Sequence, residues 1–235
     1  MIDKYFDKIY VLNLKRREDR FLLTRKRLAF AEISNYEVFH ATDGEVMQPI
    51  WEKFSEINSF FANSSYLACT ISHLSIYNDA ISKGYERILI VEDDVKVLTR
   101  ANSLFSSHIE EVPEYWDLLY LGFIPLSDDC SRWDYNVFSD RFISSRVFMA
   151  KNLWGLYGYG ISKEMMHETL QTYRQKFPME LDRYFVSVQQ QKKCYGITPQ
   201  IFAADDGYSD NSKKEEAEMM RRSVDSRFSK HTDYI

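Results

Sequence analysis

The 235-residue chain is poor in cysteine, carries no basic excess and contains no long apolar run. Its three cysteines, Cys69, Cys130 and Cys194, lie far apart, an odd set that fits neither a disulfide framework nor a zinc-binding spacing. A reducing compartment follows from that usage. The net charge of −5 argues against a nucleic-acid-binding protein, which would show a basic excess. No apolar stretch approaches the ~20 residues needed to cross a bilayer. The N-terminus alternates charged and apolar residues and shows no apolar leader core. A soluble, cytoplasmic protein is expected. No internal repeat and no linker divides the chain.

With 45% hydrophobic and 28% charged residues, the composition is that of an ordinary globular protein. The length suits one large α/β domain or two small ones. Aromatic residues are plentiful, which suits sugar or base pockets as well as cores.

The stretch around which the chain is organised is Ile88-Leu89-Ile90-Val91-Glu92-Asp93-Asp94-Val95. Four aliphatic residues in a row predict a strand buried on both faces. Three carboxylates follow at once. Alternation along a strand would point Glu92 and Asp94 one way and Asp93 the other. Ligands of open α/β sheets gather at the carboxyl ends of strands. Crowded carboxylates hold protons unless a cation neutralises them, and oxygen ligands suit Mg²⁺ or Mn²⁺. An acidic turn without a ligand is the plainer alternative.

Before that strand, Lys8 to Leu14 reads as a first buried strand. A helix follows, with Phe21, Leu28 and Leu22, Ala29 at seven-residue spacing, and then a short strand from Tyr36 to Phe39. These make a βαβ unit. A short helix around Trp51 to Ile57 precedes a longer one marked by Leu67, Ile71, Leu74 and Ile81, which Gly84 stops. After the central strand come a helical stretch near Ala101 to Glu111 and a strand from Asp117 to Gly122. The aperiodic segment from Ile124 to Ser139 is a long loop, either a cover over a binding site or a surface excursion. Strand signals resume at Phe142 to Met149. Rings and glycines alternate from Trp154 to Ser162, where glycine admits a ligand or another backbone. Met166, Leu170, Tyr173 and Phe177 mark a helix that Pro178 stops. Leu181, Phe185 and Val188 mark another, with Asp182 at its start. A last strand spans Gly196 to Phe202.

The tail, 213–235, reads as a basic amphipathic helix. Ser212 and Glu215 form a capping-box pair, and Ala217, Met220, Val224 and Phe228 share one face. Lys213, Lys214, Arg221, Arg222, Arg227 and Lys230 make it basic. Packing back on the domain is the simpler reading. Peripheral contact with an anionic inner membrane face is the alternative.

Several motifs line up in order: Val11-Leu12-Asn13-Leu14-Lys15-Arg16-Arg17 with Asp19-Arg20, Ala41-Thr42-Asp43-Gly44, and Leu67 to Tyr77. The acidic strand end and Gly158-Tyr159-Gly160-Ile161-Ser162-Lys163 follow. Over roughly residues 8 to 210 the chain resembles glycosyltransferase family 25, which includes lipooligosaccharide galactosyl- and glucosyltransferases and the collagen galactosyltransferase domain. The chain departs from the family pattern at Leu67-Ala68-Cys69-Thr70, where a glycine-rich start is expected. A second departure is Asn211, where an aliphatic residue usually follows Ser-Asp.

The resemblance implies one GT-A-like α/β sandwich over 1–212 with a mostly parallel central sheet. It also implies a divalent metal, Mn²⁺ or Mg²⁺, and inverting transfer of a hexose from a UDP-sugar. The acceptor would be a hydroxyl of a saccharide, glycolipid or glycoprotein. Asp94 is the direct metal ligand, with Glu92 binding through water or holding the ribose. Asp93 shapes the turn or contacts the nucleotide. Arg16 and Arg20 reach for the diphosphate or uracil, with Arg17 a solvated helix-start charge. Asn13 faces the base. Asp43 bonds the nucleoside or serves as a plain turn residue. His73 is a site residue or a structural histidine. Asp182, within Pro178-Met179-Glu180-Leu181-Asp182, is the first candidate for the base, its plainer role being a helix N-cap. Asp210 and Asp206 are rivals, or complete the metal site instead. Trp154, Tyr157 and Tyr159 would stack on sugar faces of the acceptor, or fill the core. Two other classes compete: a non-catalytic sugar-nucleotide or glycan-binding module, and a metal-dependent nucleotidyltransferase or phosphohydrolase.

Overall fold

The computed structural model describes residues 1–56, 61–129, 131–216 and 222–235, with the backbone alone at 214–216. A short helix α1 (Ile2–Tyr5) leads into β1 (Lys8–Asn13), α2 (Glu18–Phe30) and β2 (Tyr36–His40), the expected βαβ unit. On α2, Leu28 is buried and Phe21 packs against the core, whereas Leu22 remains exposed. Helix α3 (Gly44–Ser55) starts seven residues before the short helix expected from Trp51, because Asp43 caps it by accepting the Glu45 N–H at 2.9 Å. Helix α4 (Ser64–Ser82) is capped by Asn63, which accepts from Ser65 and Tyr66. Leu67-Ala68-Cys69-Thr70 therefore sits inside the helix. Gly84, at φ +77°, takes the left-handed position that ends it.

Next come β3 (Arg87–Glu92), β4 (Val95–Val97), α5 (Ala101–His108), β5 (Leu118–Tyr120), β6 (Ile124–Pro125), β7 (Val147–Met149) and β8 (Leu153–Trp154). The strand expected from Phe142 shrinks to β7 and an isolated bridge between Phe142 and Phe148. The chain continues through β9 (Gly158–Ser162), α6 (Lys163–Gln175), α7 (Leu181–Val188), β10 (Cys194–Ile197), β11 (Phe202–Ala204), β12 (Gly207–Ser209) and β13 (Lys214–Glu216). The single strand expected from Gly196 to Phe202 is thus two. Pro199, which has no N–H to give a ladder, lies in the break.

The main sheet has seven strands in the order β2-β1-β3-β9-β5-β10-β7. β1 runs parallel to β2 and β3, and β5 runs parallel to β10. β9 and β7 run against their neighbours. Five strands therefore share one direction, and the mostly parallel α/β sandwich expected of a GT-A-like domain is what the chain forms.

Alternation along β1 and β3 divides the core between the two faces. Ile9, Val11, Leu89 and Val91 pack with Leu28, Phe105, Val224 and Tyr234 on one side. Tyr10, Leu12, Ile88 and Ile90 pack with Ile76, Tyr77, Met166 and Phe185 on the other. Because both strands are covered on both faces, their sequences read as unbroken apolar runs.

The tail is described only in part, and its described residues are not helical apart from Arg222 and the 3₁₀ turn near the end. Ser212 lies in a turn and Glu215 in β13, so no helix begins there. Ala217, Met220 and Arg221 lie outside the described residues. From 223 onward the chain is turns with one 3₁₀ turn (His231–Asp233). Val224 and Tyr234 are buried in the core, and Arg227 folds back onto Asp225 at 2.7 Å. Among the described residues, no helix is long and apolar enough to cross a membrane.

Candidate active site

β1 and β3 are neighbouring parallel strands, so Asn13 and Glu92 arrive at the same sheet edge. Strand β3 ends at Glu92, and Asp93 and Asp94 form the turn into β4. The turn is held from three sides. Thr24 on α2 donates to the Asp93 carbonyl at 2.7 Å. Arg27, one turn further, donates to the Val95 carbonyl at 2.8 Å. The Asp205 N–H donates to the Asp94 carbonyl at 2.9 Å.

A cleft of about 810 Å³ opens over this turn. It gathers Arg20, Glu92, Asp93, Asp94, Trp154, Tyr157 and Asp182, residues spread over 163 positions of sequence. The loop after β6 contributes Arg132 and the exposed Trp133, so it covers the cleft rather than straying from it.

The three acids take different environments. Asp93 is buried, accepting from the Asn13 amide at 2.6 Å, with Arg20 at 3.5 Å. Desolvation pushes its carboxyl upward, and the bond from Asn13 opposes that. Asp94 lies at the cleft floor, yet 37% of its side chain stays open, with Arg20 at 3.2 Å. Its carboxyl is also pushed upward, by desolvation within the cleft first and then by the charges of Glu92 and Asp93. Glu92 faces the cleft with His73 Nε2 at 3.2 Å behind it.

Against three carboxylates the turn sets the guanidinium of Arg20, with Arg17 acting on Asp93 from further off. That surplus of oxygen-borne negative charge fits a hard divalent cation. Asp94 and Glu92 are the residues that would hold it. Asp93 is committed to Asn13.

Several expected positions need correction. Asn13 does not face a base: it is 4% exposed, and its amide is spent on Asp93 and on the Arg17 carbonyl. Arg17 is not a solvated charge, since it pairs with Asp210 at 2.5 Å and with Asp19 at 2.9 Å. Tyr159 cannot stack on a sugar. It is 0% exposed, its hydroxyl bonded to His73 Nδ1 at 2.8 Å and to the Tyr77 hydroxyl at 2.5 Å. The glycines beside it admit core rings, not a substrate. A Cβ on Gly158 would stand 2.8 Å from the Phe202 ring, and one on Gly160 2.7 Å from Phe6. His73 is itself fully buried. It braces Glu92 from behind and does not reach the cleft surface.

Asp210 lies between three guanidinium groups: Arg16 at 2.8 Å, Arg17 at 2.5 Å and Arg20 at 3.3 Å. Arg16 also reaches Asp43 at 2.7 Å, so Arg16, Asp43 and Asp210 form an ion-pair chain at the rim. Arg20 additionally donates to the Tyr208 carbonyl, tying the 207–210 segment to α2. Asp182 is not an N-cap. Glu180 holds that position, and Asp182 instead accepts from the Gly155 N–H at 3.1 Å. Desolvation raises its carboxyl to about 7, with the Gly155 bond opposing and the charge of Glu92 adding.

Thr24 and Arg27 escaped the sequence reading. They follow Arg20 at spacings of four and three, one stripe of α2, which is the signal that marks them. Asp205 pairs with Arg27 at 2.6 Å and carries no comparable signal in the sequence.

The sequence model of glycosyltransferase family 25 (LPS biosynthesis protein) matches residues 6–185, which contain the acidic turn, His73 and Asp182. The chain belongs to glycosyltransferase family 25. It is 27% identical over 130 residues to procollagen galactosyltransferase 2 of Mus musculus, covering 50% of this chain and 21% of that protein. It is 26% identical over 129 residues to a putative glycosyltransferase of Acanthamoeba polyphaga mimivirus, covering 53% and 40%. It is 28% identical over 130 residues to the inactive glycosyltransferase 25 family member 3 of Homo sapiens, covering 50% and 22%. The matched regions thus span well under half of each relative's length. Family membership holds for galactosyltransferases and for a protein named inactive alike. Among solved structures, a glycosyltransferase involved in the glycosylation of the major capsid of PBCV-1 superposes with a TM-score of 0.47 at 10% identity, covering 88% of this chain and 96% of that one.

Proposed function

We propose that this family 25 member transfers a hexose, galactose or glucose, from a UDP-sugar to a hydroxyl of a saccharide, glycolipid or glycoprotein, inverting the anomeric centre. The observation that carries the reading is the placement of Asp182 in the same cleft as Glu92 and Asp94. Two kinds of carboxylate meet there, a crowded pair suited to a cation and, apart from them, Asp182 held on the Gly155 N–H and suited to a proton.

A Mn²⁺ or Mg²⁺ ion held by Asp94 and Glu92 would supply Lewis-acid neutralisation of the departing diphosphate. Arg20, already beside Asp94, adds a guanidinium fork that matches phosphate oxygens. Asn13 and Thr24 keep the turn rigid, so the carboxylates need no reorganisation as charge develops. His73 holds Glu92 in line. The rim chain of Arg16, Asp43 and Asp210 supports placing the nucleoside on that side.

Asp182 takes the acceptor hydroxyl's proton as that oxygen attacks the anomeric carbon. Its raised carboxyl suits a base working near neutrality. Asp210 is the weaker candidate because its oxygens are occupied by three arginines. Of the three rings expected to take an acceptor sugar, Trp154 remains in the cleft, because Tyr157, like Tyr159, is packed in the core with its ring against Gly122 and Gly155.

A donor screen tests the reading: UDP release from UDP-galactose and UDP-glucose, with and without Mn²⁺. Metal-dependent release from either supports it. UDP binding without release, in water or with any acceptor tried, would instead favour a binding module. Cleavage of nucleoside triphosphates in place of UDP-sugars would favour a nucleotidyltransferase or phosphohydrolase.

A further inference from the structure

Cys69 and His73 stand one turn apart on α4, so their side chains share a face. Opposite them, β3 ends in Glu92. The Cys69 sulfur, a His73 ring nitrogen and a Glu92 carboxylate oxygen all lie within 4.8 Å of one another. In a tetrahedral zinc site, with Zn–S about 2.3 Å and Zn–N or Zn–O about 2.0–2.2 Å, donor atoms stand roughly 3.3–3.7 Å apart. The three donors would have to close by no more than about 1.5 Å.

Two further observations point to a ligand. The other ring nitrogen of His73 is bonded to the Tyr159 hydroxyl, which is bonded in turn to that of Tyr77. This is the outer support that orients metal-binding histidines. Cys69 and Glu92 also both line a 70 Å³ cavity next to Asn211 and a 390 Å³ cavity next to Trp154, which provide a path in and space for a water ligand.

The geometry points to a Zn²⁺ site made of Cys69, His73 and Glu92, with water completing the tetrahedron. A thiolate, an imidazole and a carboxylate select a borderline-soft ion over Mg²⁺ or Mn²⁺. On binding, the Cys69 thiol releases its proton to solvent. His73 binds through Nε2 as a neutral ring, its proton moving to Nδ1. There it is donated to Tyr159, whose hydroxyl then donates to Tyr77. The site shares Glu92 with the proposed Asp94 site, so Zn²⁺ withdraws that carboxylate and inhibits transfer. Only this regulatory consequence rests on the transferase reading.

The test is a titration of the full chain with Co²⁺ alone, followed by absorbance. The expected result is a thiolate-to-cobalt charge-transfer band that saturates at a single equivalent and disappears when Zn²⁺ is added. Cys69→Ser should abolish the band, with Cys69→Ala as a second variant and circular dichroism to confirm folding. Tyr159→Phe should keep the band and weaken binding by about tenfold. A wild-type chain without the band overturns the proposal, as does a band that survives in either folded Cys69 variant. No sugar nucleotide enters these readouts, so they fail or succeed independently of the proposed transfer.

Discussion

The Asn13 amide nitrogen lies 2.6 Å from Asp93 Oδ2, joining the carboxyl ends of two parallel strands through residues 80 positions apart. Desolvation disfavours the charge on Asp93, and the amide is one of the groups that offset it. Asn13→Ala would leave that carboxylate buried without its amide partner, with Arg20 at 3.5 Å. We expect a loss of about 1–3 kcal/mol in urea unfolding. A variant as stable as the parent would show that Asp93 does not depend on this bond.

Asp94→Asn removes a charged oxygen from the cleft floor and leaves Asn13, Thr24 and their bonds intact. Loss of several kcal/mol of leaving-group stabilisation corresponds to a fall of about 10²–10³-fold in Mn²⁺-dependent UDP release. Stability should be unchanged or slightly raised, because crowding with Glu92 and Asp93 is relieved. Undiminished UDP release would remove the metal assignment.

Asp182→Asn should lower transfer by about 10²–10⁴-fold while UDP binding persists. In the parent chain the base must be ionised, so the rate should rise with pH through about 7. Stability should run the opposite way. The folded carboxyl holds a proton below about 7 that the unfolded one, at its ordinary value of 3.8, releases. Stability therefore rises as pH falls from 8 toward 4, and Asp182→Asn should flatten part of that slope. A rate profile that is level across pH 6 to 8 would contradict the assignment.

Tyr159→Phe separates the core role from an acceptor role. It deprives His73 and Tyr77 of a shared hydroxyl in a fully buried place. We expect about 1–3 kcal/mol of destabilisation, read as a lowered urea midpoint. The acceptor KM should stay within twofold, the margin that an indirect effect allows. Trp154→Ala should do the reverse, raising the acceptor KM with a smaller change in stability. A raised acceptor KM in Tyr159→Phe would return that ring to the site.

The identity of the buried ribbons was legible from residues alone. Ile88 to Val91 and Ile9 to Leu12 are apolar without interruption, the pattern of a strand covered on both faces. The acids follow immediately, so the sheet edge that carries the site was legible too. The roles of individual side chains were less so. Asn13, Arg17 and Tyr159 were each read from their own segment, yet each is bound by a partner from elsewhere, Asp93, Asp210 and His73. In the tail, Val224 and Phe228 keep an apolar spacing that suits a helix, yet neither is helical. Val224 and Tyr234 were instead drawn into the core over β4, where burial outweighs a local preference.

By itself, the sequence determined the strands β1, β2, β3 and β5, the helices α2 and α4 with the Gly84 stop, and the acidic turn, because these depend on contacts a few residues long. The tertiary structure alone decided which carboxylate is buried, which is open and which faces an arginine. Sheet order set those environments by bringing together β1, β3, the start of α2 and the segment ending at Asp210, with Arg17 and Asp210 193 positions apart in the chain. It also set Cys69 beside His73 and Glu92, a grouping that cysteine spacing had argued against, because a helix and a strand end meet there in space and not in sequence.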